Sequence, residues 1–253
     1  MFDSTQPVES ADLMRVSAFR RYLAANVRDT EAAGLATRLT SLNPSLMQDL
    51  LRFERPAAGG DDNRLEALEV LAAALRHGRR LRLHLQHESR VLPLTVFPSE
   101  GQAHCPMPMA QLLALRLVDL RVLHVEPAEL EPLARLENGA GAEAQRYGPL
   151  GLLLWELALR GSREALLPEL AGAAAYRVAP SAKLHALALS GSVAAAVARL
   201  QRDTTNLADI ASWPGFDRSR AMRMLNGLYL QAALMVSRSH PAATNEHWQA
   251  NKP

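Results

Sequence analysis

The sequence has little cysteine, little lysine, no long apolar run and no phosphate-binding loop. One cysteine, Cys105, stands among 253 residues. That excludes an internal disulfide framework and fits a reducing compartment such as the cytosol. Lys183 and Lys252 are the two lysines, so the basic side chains are otherwise arginine. With abundant alanine and leucine, this reads as a coding bias rather than as arginine chemistry. No stretch approaches the roughly 20 unbroken apolar residues of a membrane span. The most apolar, residues 148–159, is too short and contains Glu156. Residues 1–10 place no positive charge ahead of an apolar run, so no secretory leader is expected. Gly139 and Gly141 lack the lysine and serine of a nucleotide loop, nothing resembles G-x-G-x-x-G after a strand, and Ser190-Gly-Ser192 lacks the frame of a nucleophile elbow. What is present is a chain 48% apolar and 21% charged. That composition supports a real core and rules out general disorder; the length fits one large domain or two small ones.

Periodicity organises the chain into an α+β, mostly helical protein. Residues 1–55 read as an N-terminal helical region. Leu13, Val16, Phe19, Tyr22 and Leu23 recur on one helical face with Ser10 as a cap, and helical runs follow over residues 30–42 and 44–53. Residues 56–63, rich in turn formers, are a linker. Residues 64–136 read as a small α+β unit. A helix over 65–75 precedes a strand in which Leu81, Leu83 and Leu85 alternate with Arg82, His84 and Gln86. A second strand over 91–97 makes a hairpin, and Pro93 within it argues for an edge position. A third strand over 119–125 runs into Pro127 and an acidic helix start at Glu129 and Glu131. The small sheet is expected to be mostly antiparallel. After a second linker at 137–143, residues 146–240 form a helical region, with an apolar helix over 147–159 and another over 162–170 capped by Ser162. Residues 176–178 and 184–189 are short strands or extended connections, and residues 241–253 a flexible tail.

The most orderly segment is 190–240. A helix over 192–200 follows Ser190, and a short helix over 206–212 is capped by Thr204, Thr205 or Asn206. The turn Trp213-Pro-Gly-Phe216 breaks it, Asp217 caps a helix over 218–230, and residues 234–238 have strand composition. Helix, short helix, glycine-containing turn, longer helix and strand is the order of a winged helix-turn-helix. On Leu207, Ile210, Ala211, Phe216, Ala221, Leu225, Leu228 and Leu234 the segment resembles the winged-helix modules that close many bacterial regulatory proteins. The resemblance implies a recognition module. It departs from the usual pattern at Ala232 and Ala233, where such modules often carry a glycine.

Charge is distributed unevenly. Residues 1–145 hold 16 basic and 19 acidic side chains, a net −3, whereas residues 146–240 hold 11 basic and 6 acidic, a net +5. Arg218, Arg220 and Arg223 cluster in the first turns of the longer helix, where a DNA reader would place them; Asn226 could read a base and Arg238 a phosphate. A DNA binder normally supplies a larger basic surface, and this helix is crowded with Met222, Met224, Leu225, Leu228 and Tyr229. Protein interaction is therefore the leading expectation and DNA binding the alternative. Trp155, Trp213 and Tyr229 are the candidate interface anchors if exposed.

Candidate chemistry is sparse. His84, His87, His104, Cys105 and His124 fall within the α+β unit, and histidine and cysteine are ligands zinc prefers. His84 and His87 would face opposite sides of a regular strand, and no C-x-x-C pair occurs, so no metal and no cofactor are expected. Cys105 beside His104 could pair as nucleophile and base, but a lone cysteine more often serves as a small apolar residue. No catalytic residue is assigned, and an enzyme of unrecognised class is the third reading; it would need His84, His104 and His124 to converge in a pocket. The expectation is a non-enzymatic, cytoplasmic, bacterial-type regulatory or adaptor protein with a protein partner and no membrane partner.

Overall fold

The structure is a computed structural model that describes residues 13–32, 66–128, 130, 132, 144–187 and 189–243, residues 26–32 as backbone alone. It is α+β. Two compact units divide the chain, residues 1–150 and 151–253.

In the first unit, α1 (Val16–Ala32) and α2 (Ala67–His77) accompany a sheet of β1 (Leu81–His87), β2 (Arg90–Phe97), β3 (Gln102–His104), β4 (Arg121–Pro127) and β5 (Tyr147–Pro149). A short helix, α3 (Met109–Ala114), follows β3. The strand order is β4-β1-β2-β3-β5, and every pairing is antiparallel. Period-two leucines build the core face: Leu81, Leu83 and Leu85 stand opposite Val96, Leu94 and Leu92, all buried. The α2 helix, buried at Leu68, Val70 and Leu71, contacts β1. It stops where Gly78 adopts a left-handed conformation (φ 60°) and its N–H closes onto Leu75.

Four sequence expectations in this unit are corrected. The strand holding Pro93 is not at an edge: β2 lies between β1 and β3. Its proline is tolerated because the ladder has a gap there. The Val91 N–H points away from β1, to Met14 O at 2.8 Å, and Pro93, two residues on, faces the same way. Yet β3 pairs with β2 only from Thr95 to Phe97, so no acceptor awaits the missing N–H. Second, Tyr147–Pro149 is a strand, not the first turn of a helix; the helix begins at Leu150, after Pro149. Third, Ala128 and Leu130 are irregular rather than a helix start. Fourth, residues 30–32 continue α1 rather than starting a new helix. The rest of the 30–42 helix, the 44–53 helix, the linkers at 56–63 and 137–143, Ser10, Glu129, Glu131 and the tail beyond 243 lie outside the described residues.

The second unit contains α4 (Leu150–Arg160), β6 (Ala175–Val178), α5 (Gly191–Arg202), α6 (Leu207–Ala211), α7 (Arg218–Leu230) and β7 (Leu234–Ser237). Strands β6 and β7 are antiparallel, and Thr205 bridges Tyr176 on the other side of β6. Two caps match their residue chemistry. Asn206 accepts from the Asp209 N–H, and Asp217 accepts from the Arg220 N–H. The expected helix over 162–170 does not form. Gly161 ends α4, Pro168 cannot donate, and backbone groups of this loop are satisfied by side chains from α7 instead. Among the described residues of 184–189 there is no strand; residues 185–187 form turn and bend.

Candidate functional site

The candidate site of the second unit is α7, and its geometry follows from one antiparallel pairing. Three residues spaced four apart, Arg223, Gly227 and Gln231, meet successive turns of α4 in reverse order. Arg223 donates from Nη1 to Leu159 O and Gly161 O (both 3.0 Å) and from Nη2 to the Glu164 carboxylate at 3.1 Å. Its cation thereby satisfies carbonyls at the C-terminal end of α4, where positive charge is favoured. Gly227 lies against Trp155, and Gln231 Nε2 donates to Gly151 O at 2.8 Å. Asn226 is completely buried. Its Oδ1 accepts from the Leu167 N–H (2.8 Å) and its Nδ2 donates to Ala165 O (2.9 Å). The amide therefore holds the loop that replaced the expected helix.

These contacts place the five DNA-contact candidates. Arg223 and Asn226 bond to the loop and to the end of α4. Arg238, just past β7, donates to Ala171 O, Ala173 O and Glu169 O at 2.7–3.0 Å. Arg218 and Arg220 are exposed on the first turn of α7, with the Arg220 guanidinium 5.4 Å from the Phe216 ring. Of the aromatic anchors, Trp155 (3% exposed) and Trp213 (8%) pack inside the unit rather than offering a ring to a partner. The Arg199 guanidinium lies 4.6 Å above Trp213. Tyr229 is half-buried.

The first unit brings two of the three histidines together. His84 and His124 are opposite one another across β1 and β4, their rings 5.8 Å apart. Sequence spacing could not show this, because a β-bulge at His84/Leu85 offsets the register that brings residues 40 apart into line. His84 Nε2 lies 2.9 Å from Glu126 Oε1, His124 Nε2 3.9 Å from Oε2, and Arg82 3.7 Å from Oε1. No sequence motif marks Glu126; its signal is the period-two spacing from His124 on an amphipathic strand. The His84 hydrogen bond holds the Glu126 carboxyl below its ordinary value, helped by the nearby His124 and Arg82 charges and opposed by burial. Burial pushes the His124 imidazole down; Glu126 opposes this, and His84 adds to it. Phe19 stacks on His84 at 4.6 Å.

His104 sits on β3, two strands from His84, with its ring against Tyr147 at 4.6 Å. Cys105 is fully buried, and that burial pushes its thiol up to about 12, outweighing a backbone hydrogen bond to Met107 and the charge of Arg146. A thiol held protonated at neutral pH is a poor nucleophile. Among the described residues no three histidine, cysteine, aspartate or glutamate side chains are placed to hold a metal ion. Among the same residues no helix is long and apolar enough to cross a membrane. No family model, curated protein or solved structure matches this chain.

Proposed function

We propose that this chain is a non-enzymatic, cytoplasmic regulatory or adaptor protein that works by protein–protein recognition, with a winged-helix-like module formed by α5, α6, α7 and β7. The order of these elements supports that reading, as does the capping of α6 by Asn206 and of α7 by Asp217. The observation that carries the choice of partner is the engagement of α7 with α4. A helix that reads DNA leaves a polar face to enter a groove. Here the face bearing Arg223, Gly227 and Gln231 is occupied by α4, and Asn226 is sealed beneath a loop. Of the five candidate contacts, Arg223, Asn226 and Arg238 bond within the unit and Arg218 and Arg220 remain at the surface, whereas DNA affinity normally draws on several phosphate contacts.

DNA binding is the second reading, favoured by the placement of those two arginines on the first turn of α7. The enzyme reading has less support: Cys105 is buried and His104 stands apart from His84 and His124. Affinity capture of the full chain from a nuclease-treated lysate of the source cell tests the proposal. A protein retained at near-stoichiometric yield, and rebinding when purified, supports it. Retention that disappears once nucleic acid is digested overturns it.

A further inference from the structure

We propose that α1 is a detachable strap, and that its opening uncovers the polar, two-histidine part that β1 and β4 contribute to one face of the five-stranded sheet. The two faces of the sheet are built from different chemistry. On the face of Leu81, Leu83 and Leu85, the partners in β2 are also aliphatic and fully buried. On β1 and β4 the opposite face carries Arg82, His84, His124 and Glu126, joined in one polar cluster, whereas β2 adds Val91, Thr95 and Phe97 to that face, all buried. Lasting cover over a sheet is normally gained by packing aliphatic surface against it. These four side chains instead keep their hydrogen bonds and charges when water reaches them, so exposing them costs little.

The attachment of α1 is correspondingly slight. Of its described side chains, residues 16–25, Phe19 alone is buried. Its ring stacks on His84 (4.6 Å) and lies 6.5 Å from His124. Arg20, Arg21, Ala24 and Ala25 are exposed, and Tyr22 is 55% exposed although its ring lies 6.3 Å from that of Phe19. Among residues 13–25, the remaining bonds to the sheet fall at residues 13–16. The Val91 N–H donates to Met14 O (2.8 Å), the Val16 N–H to Ser89 O (2.9 Å), and the Arg90 guanidinium to Leu13 O (2.7 Å). They tie the start of the helix to the tip of the β1–β2 hairpin, and over residues 17–25 Phe19 is the one buried side chain, with Ala18 and Leu23 partly covered. The hairpin tip is the hinge and Phe19 is the latch. A segment with one buried side chain, as residues 17–25 are, opens at a lower free energy than the sheet beneath it.

Hydrogen exchange read by mass spectrometry on the full chain, combined with residue-resolved diethyl pyrocarbonate labelling of histidines, tests the strap. In the unmodified chain, amides of residues 17–25 should be at least about ten-fold less protected than those of β1 and β2. Phe19→Ala should lower α1 protection by a further ten-fold or so and speed labelling of His84 and His124 together, with β1 and β2 amides changed less than about two-fold. Phe19→Leu, which keeps an apolar latch, should fall between. Equal protection of α1 and the sheet overturns the proposal. So does a Phe19→Ala chain in which histidine labelling is unchanged, or in which α1 and sheet protection fall in parallel.

Discussion

Gly227 stands against Trp155 so closely that a Cβ at position 227 would lie 2.7 Å from Cε3 of the indole. The indole ring can seat this near the helix only because position 227 carries no side chain. In an exposed helix, glycine to alanine stabilises by about 1 kcal/mol. Here Gly227→Ala should destabilise by about 1–3 kcal/mol through overpacking, measured as a lower urea midpoint with an unchanged m-value. An increase in stability would mean that α4 and α7 are not held together.

Asn226 gives a second, independent check on the same unit. Its amide satisfies the Leu167 N–H and Ala165 O while itself completely buried. Asn226→Ala strands both backbone groups and should cost about 2–3 kcal/mol in chemical denaturation. Asn226→Asp should also destabilise, because the carboxylate loses the donor to Ala165 O and brings buried charge. A residue reserved for reading bases would tolerate either change.

Ala232 occupies a left-handed conformation at φ 51°, just after α7. This is one of the two positions at which the resemblance to winged-helix modules calls for glycine. Ala232→Gly should therefore raise stability by about 1 kcal/mol, seen as a higher melting temperature. No change, or a loss, would show that the turn does not take this conformation.

Strand periodicity and helix caps were the legible parts of this chain. The Leu81, Leu83 and Leu85 alternation, the Asn206 and Asp217 caps and the break at Pro214 each involve residues within a few positions of one another, and each has its counterpart in the structure. What could not be read depends on distant partners. Pro93 suggested an edge because sequence does not reveal that β3 stops short of it. Ser162 resembled a cap, yet the loop after it is organised by Asn226 and Arg223, about sixty residues away. Arg223 and Arg238 looked like phosphate contacts because a guanidinium bound to carbonyls and one bound to phosphate have the same sequence signature.

The His84–Glu126–His124 cluster makes stability depend on pH in one direction. His124 is held below its ordinary value of 6.5, so the unfolded chain takes up its proton first, and stability falls as pH drops below about that value. Glu126 is held below its ordinary 4.5; its contribution is complete above that value and is lost as pH falls through its lowered folded value. Urea midpoints should therefore decline on acidification in two stages, the first beginning below about pH 6.5 and the second below about pH 4.5. His124→Gln should flatten the upper stage and Glu126→Gln the lower. A midpoint that rises on acidification would contradict both.

Cys105 should be inert in the native chain. Its thiol, pushed up to about 12 by burial, should not react with Ellman's reagent at pH 8 within minutes, and should react fully once the chain is unfolded in guanidinium. Rapid native labelling would reopen the nucleophile reading.

The choice between protein and nucleic acid rests on α7 being occupied by α4, and a gel-shift titration of the full chain against nonspecific duplex DNA at about 50 and 200 mM salt decides it most directly. The internal bonding of Arg223, Asn226 and Arg238 predicts no salt-sensitive complex, and no change when Arg218 and Arg220 are both replaced by alanine. Binding that weakens steeply with salt, and is lost in that double variant, would contradict the protein-recognition reading and make α7 a DNA-contacting helix.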